Sequence, residues 1–147
     1  MLVKEAMSRD VKTVNPTQAL QEAAKIMLDI DVGALPVGEN DRLVGMITDR
    51  DIAVRGVAAG KPSSAQVREV MSEEVRYCFE DEDISHIVQN MAQQRIRRLP
   101  VVDRNKRLVG ILALADLATV AKAGHATAAL SGISQGGGMH SQRRSRA

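Results

Sequence analysis

Apolar residues at Leu20, Ala23, Ala24, Met27 and Leu28 follow the i, i+3, i+4, i+7, i+8 spacing, which gathers them on one face of a helix beginning near Thr17. Ile84, Ile87, Val88, Met91 and Ala92 write the same stripe again. Asn15-Pro16-Thr17 precedes the first helix and the acids Glu80 to Asp83 precede the second; both supply start signals and charge that complements a helix N-terminus. After each helix come a short apolar run (Ala34 to Val37; Leu99 to Val102), a polar turn and a second apolar run (Leu43 to Thr48; Leu108 to Ala113). Unbroken apolar runs separated by polar turns predict hairpins of buried strands. Val11 to Val14 and Val75 to Phe79 read as short leading strands, and helices are predicted from about Asp51 to Ala59 and Asp116 to Ala123. Each half is thus strand, helix, strand, strand, helix: an α/β (α+β) fold.

The halves are copies in register. Met7-Ser8 and Leu35-Pro36-Val37 return 64 residues later as Met71-Ser72 and Leu99-Pro100-Val101, whereas Leu43-Val44-Gly45 returns 65 residues later as Leu108-Val109-Gly110. The extra residue falls between Asp103 and Arg107, in a turn, where an insertion disrupts no ladder. The expected organisation is a first repeat over residues 2–60, a linker over 61–66, a second repeat over 67–123, and an extension over 124–147. From about Ser131 that extension is Gly- and Ser-rich, with too little apolar surface to offset its ordering entropy, and it is expected to be mobile.

Two units of this size in a 147-residue chain would each be marginal alone, so they are expected to share a core. With aromatic content of 1% that core must be aliphatic. The formal charge of +2 owes +3 to Arg143, Arg144 and Arg146, so the body is near neutral and offers no basic face for nucleic acid. No apolar run approaches membrane-spanning length and no secretory leader is evident, which makes a cytoplasmic location the expectation. The lone Cys78 cannot close an intrachain disulfide. His86, His125 and His140 are scattered, with no metal-ligand spacing, and no nucleophile or phosphate-loop motif is present; no catalytic residue, metal site or required cofactor is predicted.

Met-Ser at the front, a helix ending before Leu-Pro-Val, and a Gly-containing apolar strand running into Thr48-Asp49-Arg50-Asp51 resemble the CBS domain, here as a tandem pair over roughly residues 2 to 122. The resemblance implies that the copies pack sheet to sheet about a pseudo-two-fold axis and leave two clefts. It further implies a small adenosine-containing ligand (AMP, ADP, ATP or S-adenosylmethionine) and assembly into a homodimer.

A carboxylate can accept from both hydroxyls of a ribose, and Asp51 and Asp116 stand at equivalent strand-to-helix junctions. Thr48, three residues before Asp51, fits a phosphate contact, as the family's Thr-x-x-Asp pattern implies, although the same pair suits a helix cap. In the second copy Ala113 takes the hydroxyl position, and Arg97 and Arg98 replace Gly33 and Ala34; these arginines suit phosphate or, together with Arg95, a solvated cluster facing the acids at 80 to 83. The family places adenine contacts at Thr13-Val14 with Ala34-Leu35-Pro36, and at Tyr77-Cys78 with Arg98-Leu99-Pro100. Tyr77 and Phe79 share one face of their strand and alternatively fill the core. The reading is a non-catalytic regulatory module acting through an effector protein not contained in the chain. The alternative is a structural or stress-related homodimer with no nucleotide.

Overall fold

The computed structural model describes residues 1–114 and, as backbone, 140–143. The predicted helix over 116–123 and most of the tail lie outside the described residues. The chain divides into two compact units, one of Lys12–Val75 with Gln142–Ala147, the other of Met1–Val11 with Arg76–Ser141.

In the first unit a short segment around Val14 leads to helix α2 (Leu20–Ile30), the antiparallel strands β1 (Ala34–Glu39) and β2 (Arg42–Thr48), a π-helix (Asp51–Val57) and a 3₁₀ turn (Val67–Glu69). The second unit begins with a one-turn helix α1 (Val3–Ala6) and continues through β3 (Glu74–Phe79), α3 (Ile84–Gln94), β4 (Arg98–Val102) and β5 (Leu108–Ala113). Strand β3 is parallel to β4 and β4 antiparallel to β5; β6 (His140–Arg143) lies beside β3.

Both hairpins form where the apolar runs predicted them, and their turns explain the inserted residue. Asn40 and Asp41, at φ 54° and 65°, make a two-residue turn with both centres left-handed, a conformation that Asn and Asp tolerate. The longer copy turns from Asp103, whose carbonyl accepts Lys106 N–H at 2.9 Å, and places Lys106 at φ 62°. That is the three-residue solution, one residue longer.

The leading strands are not alike. In the second copy β3 pairs with β4 at Cys78 and Phe79, and Glu80 N–H donates to Val102 O at 2.9 Å. In the first copy the predicted strand at Val11 to Val14 shrinks to a single bridge between Val14 and Val37. Val14 N–H reaches Pro36 O at 3.2 Å and Gly38 N–H reaches Val14 O at 2.9 Å, but the next donor on either side is a proline: Pro36 before and Pro16, the counterpart of Glu80, after. Proline carries no N–H, so the ladder ends there.

The helix starts also differ. Asp83 caps α3 by accepting Ser85 N–H at 2.9 Å, as its position predicts. The first helix begins at Leu20 rather than near Thr17, because Asn15 Oδ1 spends itself on a local turn with Thr17. The free N–H groups of Leu20 and Gln21 are met instead by Ala65 O and Ser63 O, at 2.9 and 3.0 Å. Of the predicted stripe, Leu20, Ala23 and Met27 are buried but Ala24 and Leu28 are exposed, Leu28 by 75%. The second copy buries Ile84, Ile87, Val88 and Met91 and exposes Ala92.

In place of one shared core there are two aliphatic clusters, each completed by residues from the other repeat. Val3, from the front of the first repeat, lies in the cluster of Ile84, Ile87, Met91, Leu99 and Leu112. Val67, Val70 and Met71, from the front of the second repeat, lie in the cluster of Leu20, Leu35, Val37 and Ile47. Backbone pairing repeats the exchange. Ser72 and Met46 exchange hydrogen bonds at 2.8 and 3.0 Å, and Ser8 and Ile111 exchange two at 2.9 Å. The approach is possible because the strand residue beneath is glycine. A Cβ on Gly45 would lie 2.9 Å from Ser72 O and 2.9 Å from Met71 Sδ, and a Cβ on Gly110 would lie 2.9 Å from Ser8 O and 2.5 Å from Met7 Sδ. Each front segment also opens on a glutamate that reaches back to a free N–H: Glu5 to Leu2 at 2.6 Å and Glu69 to Gln66 at 2.7 Å.

Gly45→Ala and Gly110→Ala are each expected to cost about 1–3 kcal/mol, read as a lower urea midpoint, because the obstructing carbonyls are held by paired backbone and cannot yield. Deleting Met1–Ser8 should expose amides of α3 and β5 to hydrogen exchange while sparing β1 and β2.

Three carboxylates carry acid sensitivity. Asp81 is held below the usual range by Arg104, Asp83 by Ser85, and Glu69 by the Gln66 N–H and then Lys61. Their folded forms bind protons less readily than the unfolded chain, so their stabilisation is present above the ordinary carboxylate range and is lost as pH falls through it. The thermal midpoint is expected to drop between about pH 5 and pH 3, and an unchanged midpoint across that interval would contradict the assignment.

Candidate functional site

Strand β2 ends at Thr48, directly across the ladder from Ala34. The chain turns there under the control of a closed pair of hydrogen bonds: Thr48 Oγ1 accepts Asp51 N–H at 3.0 Å, and Asp51 Oδ2 accepts Thr48 N–H at 2.9 Å. Residues three apart at a helix entry are placed for this reciprocal capping. Asp49 N–H donates to Gly33 O at 2.9 Å and ties the turn to the start of β1. The helix that follows is a π-helix over Asp51–Val57, continued by Ala58 N–H bonding to Ala53 O at 2.9 Å. Single-turn π segments recur at functional sites.

The cap reading of Thr48 and Asp51 is therefore realised, and it leaves chemistry over. A carboxylate offers about four acceptor positions, of which the Thr48 N–H takes one. Asp51 Oδ1 stands 4.0 Å from Arg55 Nη1, beyond hydrogen-bond distance but within range of its charge, and the side chain is 20% exposed. An anionic oxygen with free lone pairs at a strand-to-helix junction can accept from a ligand diol.

Of the other predicted contacts in this unit, Ala34 is half-buried beside Thr48, and Thr13 is exposed next to the Val14–Val37 bridge. Val14 and Leu35 are each 1% exposed and belong to the aliphatic cluster, and Pro36 is buried. Their side chains serve the core, which leaves the backbone of Val14 and Leu35 as the part open to other contacts.

The second unit repeats the strand end with different chemistry. Arg98 faces Ala113 across the ladder, and Leu114 N–H donates to Arg97 O at 2.9 Å, the counterpart of the Asp49–Gly33 bond. Ala113 has no hydroxyl, and Asp116 lies outside the described residues. Arg95, Arg97 and Arg98 have no ion-pair partner among the described residues, and the acids they were expected to face are engaged elsewhere: Asp81 with Arg104, Asp83 with Ser85, Glu82 with the Phe79 N–H. Arg98 is half-buried; Leu99 and Pro100 are buried.

Tyr77 and Phe79 do share a face. Their rings meet edge to face, with centroids 5.6 Å apart at 85°, under the β4–β5 turn. The Arg104 guanidinium lies 4.2 Å from the Phe79 centroid and Lys106 Nζ lies 5.8 Å from that of Tyr77, while Asp81 grips Arg104 through two bonds of 2.7 and 2.9 Å. Cations over ring faces make a local clamp; Tyr77 is buried with the core and Phe79 half-buried, and the Cys78 between them is buried too, which raises its thiol pKa. Sequence reasoning passed over Arg55, although its place four residues after Asp51 on a helix was the available signal. Among the described residues no three His, Cys, Asp or Glu side chains converge as metal ligands, and no helix is long and apolar enough to cross a membrane.

A model of the CBS domain matches residues 3–56 and 67–123. The chain is 50% identical to the CBS domain-containing protein YhcV of Bacillus subtilis over 116 residues, covering 79% of this chain and 82% of that one. Among solved structures it resembles Hypoxic Response Protein I crystallised with two coordinated zinc ions, a protein whose curated counterpart comes from Mycobacterium tuberculosis. That match has a TM-score of 0.72 and 36% identity, and covers 81% of this chain and 98% of that one. The CBS domain pair of protein MJ0100, in complex with 5-methylthioadenosine and S-adenosyl-L-methionine, matches with a TM-score of 0.69 and 31% identity over 84% of this chain and 98% of that one.

Thr48→Ala and Asp51→Ala are each expected to cost about 1 kcal/mol. The double variant should cost less than the sum, since either change opens the same closed pair; full additivity in urea unfolding would show that the two bonds act separately.

Proposed function

The chain belongs to the CBS domain family, and from that premise we propose that it is a non-catalytic regulatory module that binds an adenosine-containing ligand at Thr48 and Asp51. The observation that carries this reading is the Asp51 carboxylate, fixed at a strand end by one bond and retaining an oxygen free for a ribose diol. The ligands of MJ0100, both adenosine derivatives, support the ligand class. Thr48 Oγ1, Ala34 and the backbone near Thr13, Val14, Leu35 and Pro36 complete the contacts proposed for this copy.

In the second copy we assign the equivalent carboxylate to Asp116 by the repeat, and we assign Tyr77, Arg98, Leu99 and Pro100 to the same site. The two sites are inequivalent, because Arg97 and Arg98 bring guanidinium groups where the first copy has Gly33 and Ala34, and Ala113 brings no hydroxyl. The module acts in the cytoplasm as a homodimer, and a ligand shifts its dimer arrangement or its affinity for an effector protein only by binding two states unequally. Ala113 favours a second reading, a structural or stress-related homodimer whose sites hold no nucleotide.

Thermal unfolding with AMP, ADP, ATP and S-adenosylmethionine separates these. A ligand at about 100 times its dissociation constant adds about 2.7 kcal/mol, a clear rise in midpoint for the wild type that Asp51→Ala should abolish or sharply reduce. No rise with any of the four retires the ligand reading in favour of the structural one. Equal rises in wild type, Asp51→Ala and Asp116→Ala would keep the module and reject both carboxylates.

A further inference from the structure

We propose that Arg55 is a positioning residue that ties the Asp51 carboxylate to the Val67–Ser72 segment, so that occupancy of the Thr48–Asp51 site and docking of that segment are linked. The inference rests on the reading of Asp51 as a ligand group and adds to it a route by which binding is felt elsewhere.

One guanidinium nitrogen makes both contacts. Arg55 Nη1 donates to Met71 O at 3.2 Å and stands 4.0 Å from Asp51 Oδ1. Met71 is 3% exposed, and the next residue, Ser72, forms the two-bond exchange with Met46 over Gly45. The segment therefore docks through a short, close backbone contact with an arginine bound at its edge, and beyond it the chain runs directly into β3. Arg55 lies at the surface, its side chain 50% exposed, and three features make it a linker. Its partner on the segment is a main-chain carbonyl, so the bond reports the position of the backbone itself. Its partner at the site is the carboxylate oxygen that the cap leaves free. The π-helix offsets Arg55 from the register of a regular helix, and Gly56 beside it lets the helix approach Leu20, within 3.1 Å of where a Cβ would lie.

A diol that hydrogen-bonds to Oδ1 fixes the carboxylate in the orientation that holds Arg55, and Arg55 in turn holds Met71. Linkage is reciprocal: whatever docks the segment also presents Asp51 correctly to a ligand. In a chain built on exchanged front segments, this gives the first-copy site a mechanical output through a single side chain.

Amide hydrogen exchange at Ser72 and Met46 in the full chain tests the tie. Without ligand, Arg55→Gln is expected to speed exchange at both amides about five- to tenfold, the loss of one charge-assisted bond, and Arg55→Lys should restore part of it. Asp51→Ala should speed Ser72 exchange in the wild type but add little in the R55Q background, whereas the Thr48 and Asp51 amides should respond to Asp51→Ala in both. With saturating AMP, protection of Ser72 and Met46 is expected to rise in the wild type and to stay flat in R55Q even when R55Q is fully loaded.

An equal effect of Asp51→Ala at Ser72 in both backgrounds, or an equal AMP response in wild type and loaded R55Q, overturns the proposal and leaves the ligand reading intact. Should AMP not bind, whichever of ADP, ATP or S-adenosylmethionine raises the midpoint takes its place; if none does, the ligand reading fails and the ligand-free cycle alone decides whether Arg55 couples the two elements.

Discussion

The contact on which the rest of this fold depends is the approach of a serine carbonyl to a strand glycine, made twice. Ser72 lies over Gly45 and Ser8 over Gly110, each locked by a mutual pair of backbone hydrogen bonds. Neither apolar cluster is complete without it, because Val3 and Val67 enter on the segments these contacts dock. A unit of some sixty residues buries too little surface to be robust alone, and here each takes its missing apolar side chains from the other repeat. The unit that folds is consequently displaced along the chain from the unit that was duplicated.

That displacement was only partly legible. Spacing of apolar residues located both hairpins and both helices, since burial on one face leaves a periodic trace. The Met-Ser and Val-Gly pairs stood out as repeated, but no sequence pattern says that Met71-Ser72 belongs with Gly45 rather than with its own repeat. Docking between distant segments is a property of backbone approach, and the only trace was the glycine itself. The lost first strand was legible in principle: Pro16 removes the donor that its counterpart Glu80 supplies in the second copy, while Pro36 and its counterpart Pro100 lack an N–H in both. The half-exposed stripe of α2 was not, because periodicity tells which residues share a face and not how much of that face is covered.

At the candidate site the residue types were readable and their division of labour was not. Thr48 and Asp51 were open to a capping role and a ligand role on spacing alone. The hydrogen bonds show the first and, by using one carboxylate oxygen, leave room for the second. Arg95, Arg97 and Arg98 were open to pairing with the acids at 80 to 83, but those acids are occupied by closer partners, including Arg104 across a turn that sequence separation conceals. Tyr77 and Phe79 were open to core or ligand; Tyr77 is buried and Phe79 half-buried, and both also join a clamp with Lys106 and Arg104 that uses the longer turn of this copy.

The differences between the copies are coherent rather than scattered. The first has a hydroxyl, a carboxylate and an arginine arranged around one strand end, with glycine and alanine opposite. The second replaces the hydroxyl by Ala113 and sets two arginines without ion-pair partners among the described residues opposite it, which adds hydrogen-bond donors that the first copy lacks there. A duplicated fold that kept both sites for the same purpose would be expected to keep the same donor and acceptor pattern in each. Here the scaffold contacts, Ser72 on Gly45 and Ser8 on Gly110, match to within a few tenths of an ångström, while the strand ends have diverged in charge. The two copies are therefore alike in the contacts that complete their cores and unlike in the chemistry of their strand ends: docking of each front segment depends on backbone approach over a glycine, and a change of side chain at the strand end leaves that approach intact.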